Sequence, residues 1–189
     1  MPYLSLLIIN FDESVFCNIF AIRFQSQFYL TSMSQYCIYI KVPSYLDQWL
    51  RHDYWNPVTA RVEFERGSNT HSILSRYLHR TPQGYEQGDT SALLPVEVPT
   101  FKGMNPDQHN FLIREGHKAL VSAIKRNFKV MLDKELSVFY TQDVVITDII
   151  YAFMAVHGIT DDERNWETIR QMFKRLRDKS LKSRGVNRC

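Results

Sequence analysis

The 189-residue sequence predicts an α+β fold: a small N-terminal sheet with short helices, followed by an all-helical C-terminal half that contains a helix-turn-helix-like pair. Two observations predict this class. Residues 36–42 and 61–65 alternate between apolar and polar side chains, which is typical of half-buried strands. From residue 105 onward, apolar side chains recur instead at helical spacing. Aromatic residues make up 13% of the chain, enough for a packed core.

The first 32 residues differ in pattern from the rest. Their apolar run is interrupted at Asp12 and Glu13 and has no basic start, so it fits neither a signal peptide nor a membrane span. Clean strand patterning begins only after Met33. We therefore expect Met33 to be the native start and residues 1–32 to be a non-native or poorly ordered extension. An extra strand or an apolar arm that packs on the body is the alternative.

Residues 33–104 are predicted to form a small α/β region. The first strand ends at Pro43, and Ser44 with Asp47 three residues later resembles a capping box that starts a short helix. The apolar side of this helix is predicted to face inward. It carries Tyr45, Leu46, Trp49 and Leu50.

The second half of this region contains a helix signal and a weak strand signal. Residues 67–69 supply a chain break and an N-cap, so a helix is predicted over residues 70–79. Residues 93–101 are apolar but contain Pro95 and Pro99. Because proline cannot donate to a strand ladder, we expect at best an edge strand there.

Residues 105–182 are predicted to form the helical region. Asn105 followed by proline is a strong helix start, and the periodic pattern then continues to about residue 139. An unbroken helix of that length would extend for about 50 Å. We therefore expect a break near Gly116 or Asp133.

Two further helices complete the region. The first covers residues 146–157 and ends at Gly158, and Thr160 with Glu163 predicts a capping box for the second. A basic tail follows over residues 183–189.

The formal net charge of +3 conceals a strong asymmetry. Residues 164–189 contain nine Lys and Arg against Glu167 and Asp178, a net of +7, so the preceding 163 residues carry −4. An acidic body with a basic end is typical of proteins that bind phosphate-rich or acidic partners. A solvated helix face is the alternative interpretation.

The last two predicted helices have the outline of a helix-turn-helix. Long cationic side chains on the second helix could neutralise phosphates, and Gln or Arg could contact base edges. Acidic residues 161–163 crowd the start of that helix, which is the end that usually enters the major groove. Arg170, Lys174 and Arg177 form an i, i+4, i+7 ridge. The candidate nucleic-acid-binding residues are Arg170, Gln171, Lys174, Arg175, Arg177, Lys179 and Lys182.

The order strand, Pro43, short helix, glycine-serine break and second helix resembles the ribbon-helix-helix DNA-binding proteins. The strand YCIYIKVP and the helix start GSNTHSIL carry the resemblance, which covers about 45 residues. It implies a homodimer whose paired strands enter the major groove, with Cys37, Tyr39 and Lys41 toward the bases. Ser68 and Asn69 would then cap a phosphate site. An extra turn and strand between the two helices departs from the family. An intramolecular sheet is the alternative.

A further basic ridge is predicted on the long helix. The ridge lies opposite the apolar side of the helix and consists of Arg114, Lys118, Lys125 and Lys129, with Arg126 beside them. A solvated helix face is the default interpretation of such a ridge.

The sequence predicts no catalysis, no cofactor and no metal site. None of the six histidines stands four residues from another, and no glycine-rich phosphate loop or nucleophile motif is present. A metal-dependent nuclease assembled from scattered carboxylates (Glu63, Glu65, Asp148 and residues 161–163) remains the enzymatic alternative. Three widely spaced cysteines indicate a reducing, cytoplasmic compartment.

From Met33 onward, the general residue pattern of segments 42–50 and 146–177 resembles that of uncharacterised accessory proteins of phages and other mobile elements. The function expected from sequence is therefore nucleic-acid binding, most simply to DNA, by an accessory or regulatory protein without membrane association. The alternative is an interaction or assembly protein whose basic helix docks on an acidic partner.

Overall fold

A four-stranded sheet and five α-helices form most of the described part of the chain, which comprises residues 36–142 and 145–183 of a computed structural model. The strands are β1 (Cys37–Ile40), β2 (Trp55–Asn56), β3 (Arg61–Val62), β4 (Leu78–His79), β5 (Leu94–Glu97) and β6 (Phe111–Leu112). The helices are α1 (Ser44–Asp53), α2 (Asn69–Tyr77), α3 (Arg114–Leu136), α4 (Ile146–Val156) and α5 (Glu163–Ser183). The predicted α+β class is confirmed, with the sheets first and the long helices last.

The order of the main sheet is β1-β5-β3-β2, while β4 and β6 form a separate pair. Strand β5 is antiparallel to β1 and parallel to β3, so it is an interior strand. The prediction of an edge strand was therefore wrong. The backbone nitrogen of Val98 donates to the carbonyl of Tyr36 on the β1 side. Backbone N–H groups of successive residues point to opposite sides of a strand, so the nitrogen of Pro95, three residues before Val98, points away from β1. Because β3 pairs with β5 only at Val62 and Val96, Pro95 has no ladder bond to donate.

Helix α1 forms as the sequence indicates, but it begins differently. Its predicted inner residues, Tyr45, Leu46, Trp49 and Leu50, are all buried. The N-cap position is Pro43, and no side chain caps the helix, so the predicted capping box is wrong. Ser44 instead accepts a hydrogen bond from Gln48, and Asp47 pairs with Arg51 at 2.9 Å, because each partner lies one helical turn away.

Helix α2 has the predicted serine cap. The Ser68 hydroxyl accepts a hydrogen bond from the backbone nitrogen of His71 at 3.1 Å. The helix ends at Tyr77, two residues before the predicted end, because Leu78 and His79 pair with Leu112 and Phe111 as strands.

The long helix α3 begins at Arg114, and the predicted start at Asn105 is wrong. Asn105 caps a turn instead, since its side chain accepts from the nitrogen of Asp107 and its carbonyl from that of Gln108. The shorter helix extends to Leu136 without the expected break. Gly116 lies within the helix and does not break it. A close approach to α2 explains the glycine there, since a Cβ atom at this position would be 2.5 Å from the Cβ of Tyr77.

Helices α4 and α5 form the predicted pair, and Gly158 takes a positive φ of 62° in the turn between them. The side chain of Asp162, rather than the predicted Thr160, caps α5. Its Oδ1 accepts from the nitrogen of Asn165 at 2.8 Å. Thr160 donates its hydroxyl to Asp162 and therefore supports the cap from outside.

One hydrophobic core joins the sheet to the helices. Trp49 and Phe128 are almost completely buried, and their rings meet edge to face at 5.2 Å. Ile169, Met172 and Phe173 fix the inner face of α5 in the same core. Within the described ranges, no helix combines the length and apolar character required to cross a bilayer. The expectations for residues 1–32 and for the tail at 184–189 lie outside the described residues.

Candidate nucleic-acid interface

The amphipathic pattern of α5 turns its basic residues away from the core. Ile169, Met172 and Phe173 are buried, so the opposite side of the helix is exposed. Within its 21 residues, the helix carries seven Lys and Arg against three Asp and Glu. The structure divides the seven candidate residues of α5 into two groups, according to whether another side chain already engages them.

Arg170 and Gln171 are engaged by Glu167 on the same helix. The Arg170 guanidinium contacts the Glu167 carboxylate through two nitrogens at 2.7 and 3.0 Å, and Gln171 donates to it at 2.9 Å. The hydrogen bond from Arg170, followed by that from Gln171, lowers the pKa of Glu167 to about 2. Arg170 is therefore neutralised locally at any physiological pH. The i, i+3 spacing of Glu167 and Arg170 is a sequence signal that could have indicated this pair.

Arg177 is engaged by the core side of the helix. Its guanidinium carbon lies 5.7 Å from the ring centroid of Phe173, and its Nε is buried without a hydrogen-bond partner in the described part of the chain. The predicted ridge requires an exposed Arg177 that can reach an external phosphate. In the structure this side chain is half-buried against an aromatic ring.

Four candidate cations remain accessible: Lys174, Arg175, Lys179 and Lys182 are all exposed. None of them forms an ion pair within residues 36–142 and 145–183. Arg175, Lys179 and Lys182 have i, i+4, i+7 spacing and span about 10 Å along the axis. The accessible ridge is therefore formed by Arg175, Lys179 and Lys182 and not by the predicted Arg170, Lys174 and Arg177. Lys174 is the fourth accessible cation. We call these four residues the α5 basic face.

The acidic start of α5 is held against α1. Asn165 is 2% exposed and donates to Asp162 at 2.6 Å and to Gln48 of α1 at 3.2 Å. The side-chain carbonyl of Gln48 (Oε1) also accepts a hydrogen bond from the backbone nitrogen of Thr160 at 2.9 Å. Hydrogen bonds from Asn165 and Thr160 lower the pKa of Asp162, so it stays negative at neutral pH. A negative, packed N-terminal end is poorly suited to enter a DNA groove.

The second predicted ridge is also accessible. Lys118, Lys125 and Lys129 are exposed on α3 and have no ion-pair partner among the described residues. Arg114 and Arg126 are exposed on the same helix. This side of α3 is consistent with the default interpretation of a solvated face.

The residues carried over from the ribbon-helix-helix resemblance take separate positions. Ser68 uses its oxygen to cap its own helix, and Asn69 is exposed beside it. Strand β1 pairs with β5 of the same chain, which is the intramolecular sheet that the sequence left open as the alternative. Lys41, Cys37 and Tyr39 share the outer side of β1 and line a cleft.

The sequence patterns give no indication of a cluster that forms around His157. The side chain is buried, with Nδ1 3.2 Å from Asp53 and Nε2 2.9 Å from Glu135. Asp53 also accepts from Trp49 at 2.6 Å and lies 2.6 Å from Nδ1 of His52. No sequence signal links these residues, because Asp53 and His157 are 104 positions apart. The cluster joins the C-terminal ends of α1, α3 and α4.

Among the described residues, no group of three or more His, Cys, Asp or Glu side chains is arranged to hold a metal ion. The side chains of the His157 cluster form a hydrogen-bonded chain of acids and imidazoles. The carboxylates named for the nuclease alternative do not form such a group within these ranges.

No protein-family model matches this chain, and comparisons with curated proteins and with solved structures gave no match. The function must therefore be inferred from the exposure, charges and contacts of the residues themselves.

Proposed function

We propose that this protein binds nucleic acid, most simply DNA, through phosphate contacts made by the α5 basic face. The observation that carries the proposal is that Lys174, Arg175, Lys179 and Lys182 are exposed and lack acidic partners in the described part of the chain. Unneutralised cations along a helix attract the phosphate backbone and release its counterions on binding.

The other end of α5 indicates what kind of binding to expect. Residues 161–163 are acidic and exposed, and Asp162 is fixed by Asn165 and Thr160. Repulsion from this end opposes insertion of the helix N-terminus into the major groove. Contacts from the second half of the helix would supply affinity rather than sequence specificity. This profile suits an accessory or regulatory protein of a mobile element acting in the cytoplasm, which we propose as its context.

A salt titration of DNA binding tests the proposal. The double variant Arg175→Ala/Lys179→Ala removes two cations of the α5 basic face, so affinity for a fluorescent duplex should fall at every sequence. The slope of log affinity against log salt should become shallower by roughly 2. The matched control, Arg76→Ala/Lys102→Ala, removes the same charge from exposed positions on α2 and in the turn after β5. Equal binding by wild type and the α5 variant would contradict the assignment.

A gain of binding is expected from Glu167→Gln. This change removes the carboxylate that holds Arg170 at 2.7 Å and so adds one accessible cation to the same helix. Affinity for the duplex should rise, with a salt slope steeper by about 1. A general loss of structure could not mimic this result. Unchanged affinity would indicate that nucleic acid does not contact this side of α5.

The alternative is an acidic protein partner for the same face. If this alternative holds, the protein should purify without bound nucleic acid. It should also show no salt-dependent binding to duplex or single-stranded probes.

A further inference from the structure

A cleft beside β1 combines aromatic rings with cations that have no ion-pair partner among the described residues. It has a volume of about 750 Å³ and lies between the outer side of β1, the segment 81–93 and the start of α3. This size is within the range of small-molecule binding sites. The residues that line it come from three separate segments between Tyr36 and His117, so only the fold brings them together.

The aromatic part of the cleft is accessible. Tyr39 enters from β1, Tyr85 from the loop and Phe111 from β6. The rings of Tyr85 and Phe111 meet edge to face at 4.9 Å, and Tyr85 remains 50% exposed. An exposed tyrosine supported by a second ring offers a flat surface on which a planar ligand can stack.

The charged part of the cleft is positive. Lys41 and Arg114 line it and are exposed, and neither forms an ion pair within the described ranges. Among the described residues that line the cleft there is no Asp or Glu. The nearby Asp107 carboxylate accepts a hydrogen bond from the Tyr36 hydroxyl. An anionic group in this cleft would therefore meet two unneutralised cations.

The loop that forms one wall is anchored rather than free. The backbone nitrogen of Thr81 donates to the carbonyl of Gln108 at 2.9 Å, and its hydroxyl donates to the side chain of Asn110. The wall also presents Gln87, an exposed amide with no partner among the described residues, which can hydrogen-bond a polar edge.

We propose that this cleft binds a nucleoside phosphate, with the base against Tyr85 and Phe111 and the phosphate toward Lys41 and Arg114. Aromatic stacking beside cationic side chains is the chemistry by which proteins hold single nucleotides without reading a duplex. A free nucleotide and one unit of a single strand present the same base and phosphate, so the cleft suits both sources of this ligand. The site is independent of the α5 basic face and does not require that face to bind nucleic acid.

Calorimetry on the full chain tests the cleft, with AMP, an eight-nucleotide single-stranded DNA and inorganic phosphate as separate probes. We expect saturable binding of AMP, of the oligonucleotide or of both, and at least tenfold weaker binding of phosphate alone. Tyr85→Ala and Lys41→Ala should each weaken nucleotide binding about tenfold, which is the effect of losing one stacking or phosphate contact. Thermal melts should show that both variants remain folded, since both side chains are exposed.

Two controls separate this site from the rest of the surface. Tyr151→Ala removes an exposed tyrosine of α4, and Arg175→Ala/Lys179→Ala disables the α5 basic face; neither should change AMP binding. Binding of AMP alone would identify a free-nucleotide site. Binding of the oligonucleotide without AMP would identify a single-strand site in the cleft if Tyr85→Ala and Lys41→Ala weaken it, since the α5 basic face could also hold this probe. The proposal is overturned if neither nucleotide probe binds, if phosphate binds equally well, or if both cleft variants bind as tightly as wild type.

Discussion

At the residue scale, His157 illustrates how burial decides the role of an ionisable side chain. Both ring nitrogens face carboxylates, Asp53 on one side and Glu135 on the other. The neutral ring has only one N–H, so it can donate to only one of the two acids; the protonated ring can donate to both. Because the ring also packs 4.6 Å from Phe153, it links a polar chain to the core.

Replacing this histidine should destabilise the fold. His157→Ala leaves two partly buried carboxylates without their shared donor and opens a gap beside Phe153. We expect the free energy of unfolding in urea to fall by about 2 kcal/mol, discounted because Asp53 and Glu135 retain some solvent contact. His79→Ala, at an exposed strand position, is the control and should cost far less. Equal midpoints for the two variants would show that the His157 cluster contributes no stability.

At the element scale, α3 organises the molecule by packing on α2 through a close approach at Gly116. A Cβ atom at this position would lie 2.5 Å from the Tyr77 Cβ and 2.7 Å from Leu112 Cδ1. The Cβ of Tyr77 is fixed to the backbone of α2, so it cannot turn away as the end of a long side chain could. The absent side chain of Gly116 therefore sets the distance between the two helices.

Gly116→Ala should destabilise the protein although alanine favours helix. The overlap with Tyr77 is expected to cost about 2 kcal/mol, which exceeds the gain in helix propensity. Urea unfolding followed by circular dichroism measures the difference. Ser122→Ala, on the exposed side of the same helix, should be neutral or slightly stabilising. A Gly116→Ala protein as stable as wild type would mean that α2 and α3 separate easily at this contact.

At the scale of the whole molecule, charge and burial are distributed unevenly. The basic residues of α5 lie outside a core that the sheet and helices share, whereas several histidines lie within or beside it. Burial lowers the pKa of His117, and burial followed by the charge of Arg66 lowers that of His71. The fold therefore favours the neutral form of both residues.

This distribution predicts a loss of stability in mild acid. As the pH falls through the ordinary histidine pKa of about 6.5, this side chain takes up its proton more readily in the unfolded chain than in the fold, so the unfolded state gains stability. His117→Gln removes this contribution. Between pH 7.5 and pH 5.5, the melting temperature of wild type should therefore fall more than that of His117→Gln. Parallel melting curves across that range would contradict the lowered pKa.

The sequence by itself determined the features that depend on neighbours within a few residues. Periodicity identified the inner face of α1, because side-chain direction repeats with the local backbone. The Ser68 cap and the turn at Gly158 were also predictable, since each satisfies backbone groups of its own segment. The segregation of charge toward residues 164–189 required only counting.

The tertiary structure decided everything that depends on distant partners. Strand β5 is interior because β1 and β3 both reach it, and α3 starts late because Leu112 pairs with Leu78. The basic ridge predicted on α5 shifted to Arg175, Lys179 and Lys182 because packing on Phe173 engages Arg177 and Glu167 holds Arg170. The His157 cluster and the aromatic cleft have no local signature. Hydrogen bonds and stacking act over a few ångströms in space, and only the folded chain determines which residues come that close.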